Sequence, residues 1–231
     1  MFWIALAAAA QVSAPVPTNL KDWFTASDVP PYLQKDGVWD VGVRVVVVGD
    51  GTVRACIVQM TSGIRDLDRQ TCDLIRSRAH FQAARWVDGT AVTGVYSTAV
   101  NYKVSTWPFD DRLKPEKGDF ADLDITVARL PPGRKSPSLV RAMFAVDASG
   151  NLSSCSAETT PNFITAENDP QLVPVACEQL LKSYKPLPFK DSSGHGVPSV
   201  QDALVRFSKP QQIDARRRRI AADCLGDLLP G

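Results

Sequence analysis

The residues best suited to covalent chemistry in this sequence are its five cysteines. Cys56 and Cys72 recur as Cys155 and Cys177 at matching places in two similar stretches, each pair joining the end of a strand-like segment to the middle of a helix-like one. This recurrence predicts two disulfides, which need Cα atoms about 4.4–6.8 Å apart. Four buried free thiols are the alternative, and a metal site is disfavoured because no histidine has ligand-type spacing to a cysteine pair. Cys224 is left over as a free thiol or an intermolecular link.

His80 and His195 are the two histidines that could serve as a catalytic base. His80 ends a helix-like segment, and His195 lies in a glycine-flanked turn. No Walker loop, dinucleotide glycine motif or lipase-type elbow accompanies them. The carboxylates at 110–111 and in Asp122-Leu123-Asp124 have no acid/base partner and are interpreted as solvated turn charges. The sequence therefore predicts a protein that is not an enzyme, with no cofactor and no metal site.

Composition and net charge exclude several classes of protein. The chain has 231 residues, 44% of them hydrophobic, and a formal net charge of +1. Such an apolar fraction excludes wholesale disorder. Near-neutral charge argues against a nucleic-acid partner, because such proteins carry a basic face. No apolar run approaches the roughly 20 residues of a spanning helix.

The first residues resemble an export signal. Phe2 to Ala10 is an unbroken apolar run, and Val12-Ser13-Ala14 places small residues where a signal peptidase cleaves. We therefore expect a signal peptide over residues 1–14, cleavage after Ala14 and a periplasmic protein. A short buried element at the N-terminus is the alternative. In an exported protein, paired cysteines are expected to be disulfides.

The elements that would position the cysteines follow one order twice. In the first stretch, Val41 to Val48 is a β-branched strand, Asp50-Gly51 a hairpin turn and Thr52 to Met60 a second strand. A helix begins near Asp66, and Val95 to Val104 alternates as a third strand. The second stretch repeats this order. The predicted fold class is α+β, with two tandem small ββαβ units, each a helix packed on an antiparallel sheet.

The predicted domain boundaries follow from this repeat. They are a signal peptide at 1–14, a first unit at 20–104, a structured connector at 105–138, a weaker second unit at 139–208 and a basic tail at 209–231. The tail contains Arg216–Arg219, which could touch an anionic membrane surface peripherally. A solvated helix end is the alternative.

A series of short motifs in the first unit occurs in a characteristic order. They are Asp28-Val29-Pro30-Pro31-Tyr32, Gly49-Asp50-Gly51-Thr52-Val53, Thr61-Ser62-Gly63, Leu67-Asp68, Arg76 to Phe81 and Asp88 to Val92. Their order and spacing resemble the C-terminal domain of TonB-family energy transducers, over about residues 28–104 and more weakly over 138–208. The cysteines resemble a variant found among exported alphaproteobacterial members. The chain departs from the family in having Gln82-Ala83-Ala84 where Pro-Ala is usual.

The resemblance implies a function. Such domains bind an extended segment of an outer-membrane receptor by strand addition, in TonB-dependent transport. Carried over by position, the edge strand of the first unit would be Val95, Tyr96, Ser97, Thr98, Ala99, Val100, Asn101 and Tyr102, and that of the second Ala203 to Phe207. We expect a non-enzymatic periplasmic protein that binds a segment of an envelope protein. The alternative is an envelope scaffold whose two units pair with each other or dimerise.

Overall fold

The computed structural model describes residues 12–33, 37–104, 121–158 and 169–210. Within them the chain forms strands and helices with the following bounds. The strands are β1 (Val16–Pro17), β2 (Gly37–Val47), β3 (Val53–Met60), β4 (Phe81–Gln82), β5 (Ala84–Arg85), β6 (Ala91–Val104), β7 (Leu123–Thr126), β8 (Ser138–Val146), β9 (Leu152–Ala157) and β10 (Ser199–Ser208), and the α-helices are α1 (Arg65–Arg78) and α2 (Leu172–Ser183).

The predicted fold class is wrong. The described strands form one curled, mixed eight-stranded sheet in the order β3-β2-β6-β10-β8-β9, with β5 added to β6 and β7 to β10, beside a two-stranded β1–β4 sheet. The last strands of the two repeated stretches pair in parallel, Ser199 with Thr93 and Val200 with Gly94. This pairing merges what would have been two tandem ββαβ units, each with its own sheet, into a mostly β molecule.

Three apolar clusters fill the interior of the described residues. Alternate valines of β2 pack against Leu67 and Ile75 of α1, with Trp23 and Tyr96 completing this first core. A second core joins β8 and β10 to α2, and its largest side chains are Phe144, Phe207 and Leu180. A third, smaller cluster draws on both repeated stretches. The burial of these side chains supplies the main favourable free energy of folding.

The hairpin turns depend on glycine. Gly51 and Gly150 adopt φ values of 86° and 89° in the β2–β3 and β8–β9 turns. At Gly51 a Cβ would lie 2.1 Å from the carbonyl oxygen of Phe81, whose N–H donates to the Gly51 carbonyl at 3.1 Å. Only glycine combines this left-handed conformation with so close an approach.

Candidate strand-addition site

The two predicted disulfides are confirmed. Cys56 of β3 is bonded to Cys72 of α1 with 5.4 Å between Cα atoms, and Cys155 of β9 to Cys177 of α2 with 5.5 Å. Each bond fastens a hairpin to the helix that packs on it. Disulfides persist in oxidising environments, so the pairs indicate an exported protein. Cys224 lies outside the described residues.

The strand predicted to bind peptide lies inside the sheet. Along Gly94–Val104, β6 pairs with β2, so that Val100 is opposite Val41. At its start β6 also pairs with β10. Ser97 and Thr98 are buried. Ala203 to Phe207 of β10 pairs with β8 on one side and, from Val205 on, with β7 on the other. The binding role assigned to Val95–Tyr102 stays a prediction, and neither segment is a terminal strand.

β3 is the terminal strand on this side of the sheet. Its only ladder within the described residues is with β2, and it is regular from Ala55 to Val58. No backbone hydrogen bond from elsewhere in those residues reaches its outer edge. Two successive apolar side chains, Ile57 and Val58, are 42% and 37% exposed. Because successive strand residues point to opposite faces, both faces of this edge carry apolar surface.

A groove runs beside β3. It has a volume of about 400 Å³, and Val46, Ala55 and Ile57 form one side of it. The segment 187–190, with Leu187, Pro188 and Phe189, forms the other side. Arg54 and Lys190 also line the groove, and the Arg54 guanidinium donates to the Lys190 carbonyl at 3.2 Å. The groove is therefore mostly apolar, with two cationic residues in its lining.

The wall of the groove is held by a buried amide. Gln201, on β10 and 2% exposed, accepts the Leu187 N–H at 3.0 Å and donates its amide to the Leu187 carbonyl at 2.8 Å. The same side-chain amide group also donates to the Ser199 hydroxyl. The two bonds between Gln201 and Leu187 resemble the pair of backbone hydrogen bonds between two residues of neighbouring strands. They fix the wall of the groove in the free protein. A preformed wall lowers the entropic cost of binding.

Two buried ion pairs were missed by sequence reasoning: Arg141 with Asp202 inside the second stretch, and Arg44 of the first stretch with Asp122 of the connector. Arg141 donates to Asp202 at 2.8 Å, and the other oxygen of Asp202 accepts from Ser97 at 2.9 Å. Arg44 donates to Asp122 at 2.8 Å, and both side chains are under a tenth exposed. Desolvation raises the pKa of Asp122 against the pull of Arg44.

Asp122 also corrects an expectation. It was expected to be a solvated turn charge, but its other carboxylate oxygen accepts the Leu204 N–H at 2.8 Å. Asp124, two residues on, is 59% exposed and pairs with Arg206. The arginine partners come from strands 78 and 82 residues away in sequence, respectively. Local sequence patterns do not predict ion pairs between such distant residues, because a single arginine on a strand has no characteristic spacing to its partner.

The histidines do not form a catalytic arrangement within the described residues. His80 is exposed. The side chain of His195 is 81% exposed, with Nδ1 3.8 Å from a carboxylate oxygen of Asp191. No group of three or more His, Cys, Asp or Glu side chains in the described part of the chain could hold a metal ion. There, too, no helix is long and apolar enough to cross a membrane.

The ends of the chain bear on the remaining predictions. Residues 1–11 of the predicted signal peptide and the Arg216–Arg219 run lie outside the described residues, as does the connector from 105 to 120. Residues 12–14 are described, and Val12 and Ala14 are buried. The predicted cleavage after Ala14 would therefore separate the packed residues 12–14 from the rest of the chain.

Comparisons with known proteins leave the family open. No protein-family model, no curated protein and no solved structure matches this chain.

Proposed function

We propose that this is a non-enzymatic periplasmic protein that binds an extended segment of an envelope protein by strand addition at β3. The observation that carries the proposal is the outer edge of β3, which combines a regular ladder on its inner side with exposed Ile57 and Val58. An added strand would satisfy backbone groups on this edge, while its alternate side chains give selectivity.

β3 is only partly protected as an edge strand: its ladder with β2 shifts register at both ends, at Gly42/Val43 and Val46/Val47, but not between Ala55 and Val58. Proteins commonly guard such edges with lysine, proline, bulges or short length. The last five residues of β3, Cys56 to Met60, contain no charge and no proline. The bound segment would place every second side chain on the same face of the sheet as Ile57, one of the residues that line the groove. The backbone hydrogen bonds of the added strand do not depend on its sequence. The groove would add free energy from the burial of apolar side chains.

The compartment and the partner rest on further arguments. Two disulfides agree with the oxidising periplasm. The resemblance of residues 28–104 to TonB-family domains supports a partner in the envelope, such as a TonB-dependent receptor. The Asp28 motif of that resemblance takes part in the fold: its carboxylate accepts two bonds from Arg78, and this contact lowers the pKa of Asp28.

The experiment compares two lysine substitutions at equally exposed valines. Val58→Lys places a charge on the edge, whereas Val175→Lys places it on α2, where the valine is also 37% exposed. We expect Val58→Lys to reduce capture of the partner from an envelope extract at least tenfold, because an added strand would have to desolvate the ammonium group. Val175→Lys should capture as the unchanged chain does.

Equal capture by both variants would contradict strand addition at β3. Thermal unfolding should show that the substitutions leave stability within about 0.5 kcal/mol, as is usual for surface changes. A crosslinker placed at Val58 of the unchanged chain should then identify the partner. Val100→Pro is unsuitable as a test, because β6 pairs with β2 at that residue.

An envelope scaffold is the second candidate function. The β6–β10 ladder favours it, because it shows that the two repeated stretches already use strand pairing to associate. In a scaffold of this kind, β3 would be covered by a second copy. Hydrogen exchange of the free protein separates the two: concentration-dependent protection of the Ala55 to Val58 amides favours the scaffold, and fast exchange at every concentration favours strand addition.

A further inference from the structure

The first described residues are bound to the rest of the chain as an added strand. Ser13 donates its N–H to the Arg85 carbonyl at 3.0 Å, and Arg85 donates its N–H to the Ser13 carbonyl at 3.0 Å. Val16 and Pro17 continue antiparallel to β4. The segment is therefore held by the same backbone bonds that hold a peptide in β-augmentation.

The side chains of this segment alternate between solvent and a groove. Val12 and Ala14 are 5% and 6% exposed, while Ser13 between them is exposed. They belong to the third apolar cluster, which draws on β5 and β6 as well as β8 and β10. Its other buried members are Ala84, Val92, Met143, Ala145 and Val200. The groove accepts small apolar side chains two residues apart.

A glycine makes room for the next residue. A Cβ at Gly94 would lie 2.7 Å from Cγ of Pro15 and 2.6 Å from the Cβ of Ala84. Any larger residue at position 94 would push Pro15 out of the groove. Gly94 is also one of the two β6 residues that pair with β10. The groove thus lies where the two repeated stretches meet.

We propose that this groove is a binding site for an extended segment of another protein with the pattern Val-x-Ala-Pro, and that the chain's own residues 12–15 occupy it as an intramolecular competitor. The bound residues themselves show the chemistry that fits: backbone pairing to Arg85, two small apolar side chains and a proline over Gly94. A cleavage after Ala14 would remove two of these side chains and leave the groove open. The site is independent of β3, which contributes nothing to it.

The test uses the full chain and a labelled peptide, Gln-Val-Ser-Ala-Pro-Val-Pro, which copies residues 11–17. Ser13→Pro removes the N–H that donates to Arg85 and should release the tethered segment. We expect this variant to bind the peptide saturably and at least tenfold more tightly than the unchanged chain, because a tethered segment competes at an effective concentration on the order of millimolar. Amide exchange at Arg85 should be fast in the variant and slowed by the peptide.

Three controls decide the outcome. Ser13→Ala changes an exposed side chain but keeps the N–H that donates to Arg85, and it should leave peptide binding as weak as in the unchanged chain. A peptide with aspartate in place of the valine and alanine at positions 12 and 14 should not bind. Val58→Lys should leave peptide binding unchanged, which separates this site from the one at β3.

Folding and self-association are checked on the same samples. A second variant, Val12→Asp with Ala14→Asp, releases the segment without introducing proline and replaces Ser13→Pro should that variant unfold. A folded released variant that shows no saturable binding, or no slowing at Arg85, overturns the proposal. Concentration-dependent dimerisation of the released variant also overturns it, because the occupant would then be a second copy of this chain.

Discussion

The two outer edges of the sheet differ although both belong to disulfide-fastened hairpins. β3 has eight residues, and its exposed Ile57 and Val58 are apolar. β9 has six residues with the sequence Leu-Ser-Ser-Cys-Ser-Ala, and its ladder shifts register opposite Met143 to Ala145. Ser154 in β9 has φ 51°. The ladder of β3 also shifts register, at Gly42/Val43 and Val46/Val47, so length and polarity carry the difference between the two edges. Short and polar edges resist pairing, which favours β3 over β9 as the place of the proposed strand addition.

The two cores differ as well. In the first, Trp23 lies 5.3 Å from Phe81 and 6.2 Å from Tyr96 between ring centroids. The second has one such described contact, between Phe144 and Tyr184 at 5.5 Å. Aromatic pairs add to the free energy of burial. The first core therefore has more aromatic contacts than the second.

The largest expected effect comes from removing the buried carboxylate of Asp202, which accepts from Arg141 of the same stretch and from Ser97 of the first. Asp202→Ala would remove a carboxylate that accepts from Arg141, in a site where the Arg141 and Asp202 side chains are under a twentieth exposed. Removing one partner of a buried ion pair costs about 3–5 kcal/mol, because the remaining charge stays desolvated. We expect a loss of this size in the free energy of unfolding, measured in urea.

Asp124→Ala is the matched control. Asp124 also pairs with an arginine across the sheet, but its side chain is 59% exposed. Exposed pairs contribute about 0–1 kcal/mol. Equal losses of unfolding free energy for the two alanine variants would contradict a larger contribution from the buried pair.

A second prediction compares the two disulfides. Replacing Cys56 and Cys72 with alanine, or Cys155 and Cys177, opens loops whose ends are separated by 16 and 22 residues. Loop-closure entropy gives about 3 kcal/mol for each, with the longer loop ahead by only about 0.3 kcal/mol. Urea unfolding of the two double variants should therefore shift almost equally. A much larger loss for the second pair would show that its half depends on the disulfide because its core is weaker.

Local features were predictable from the sequence, and their assembly was not. The cysteine pairing followed from recurrence at matching places, and the Gly51 turn from Asp-Gly between β-branched runs. The parallel contact of Gly94 with Val200 joins residues more than one hundred positions apart, and nothing in either strand's alternation specifies that partner. The strand predicted to bind is therefore an interior one, and the outer position of β3 could not be inferred from its apolar pattern, which suits a buried strand equally well.

The smallest expected effect tests whether the irregularity of β9 is a strained feature. Ser154→Gly should change the free energy of unfolding by no more than about 0.5 kcal/mol and in the stabilising direction, because relief of the left-handed conformation slightly exceeds the extra entropy of glycine in the unfolded chain. Ser153→Gly, at the preceding exposed residue with negative φ, should instead lose about 0.5–1 kcal/mol. If both glycines destabilise equally, Ser154 carries no strain that glycine relieves, and the contrast between the edges rests on the length and polarity of β9 alone.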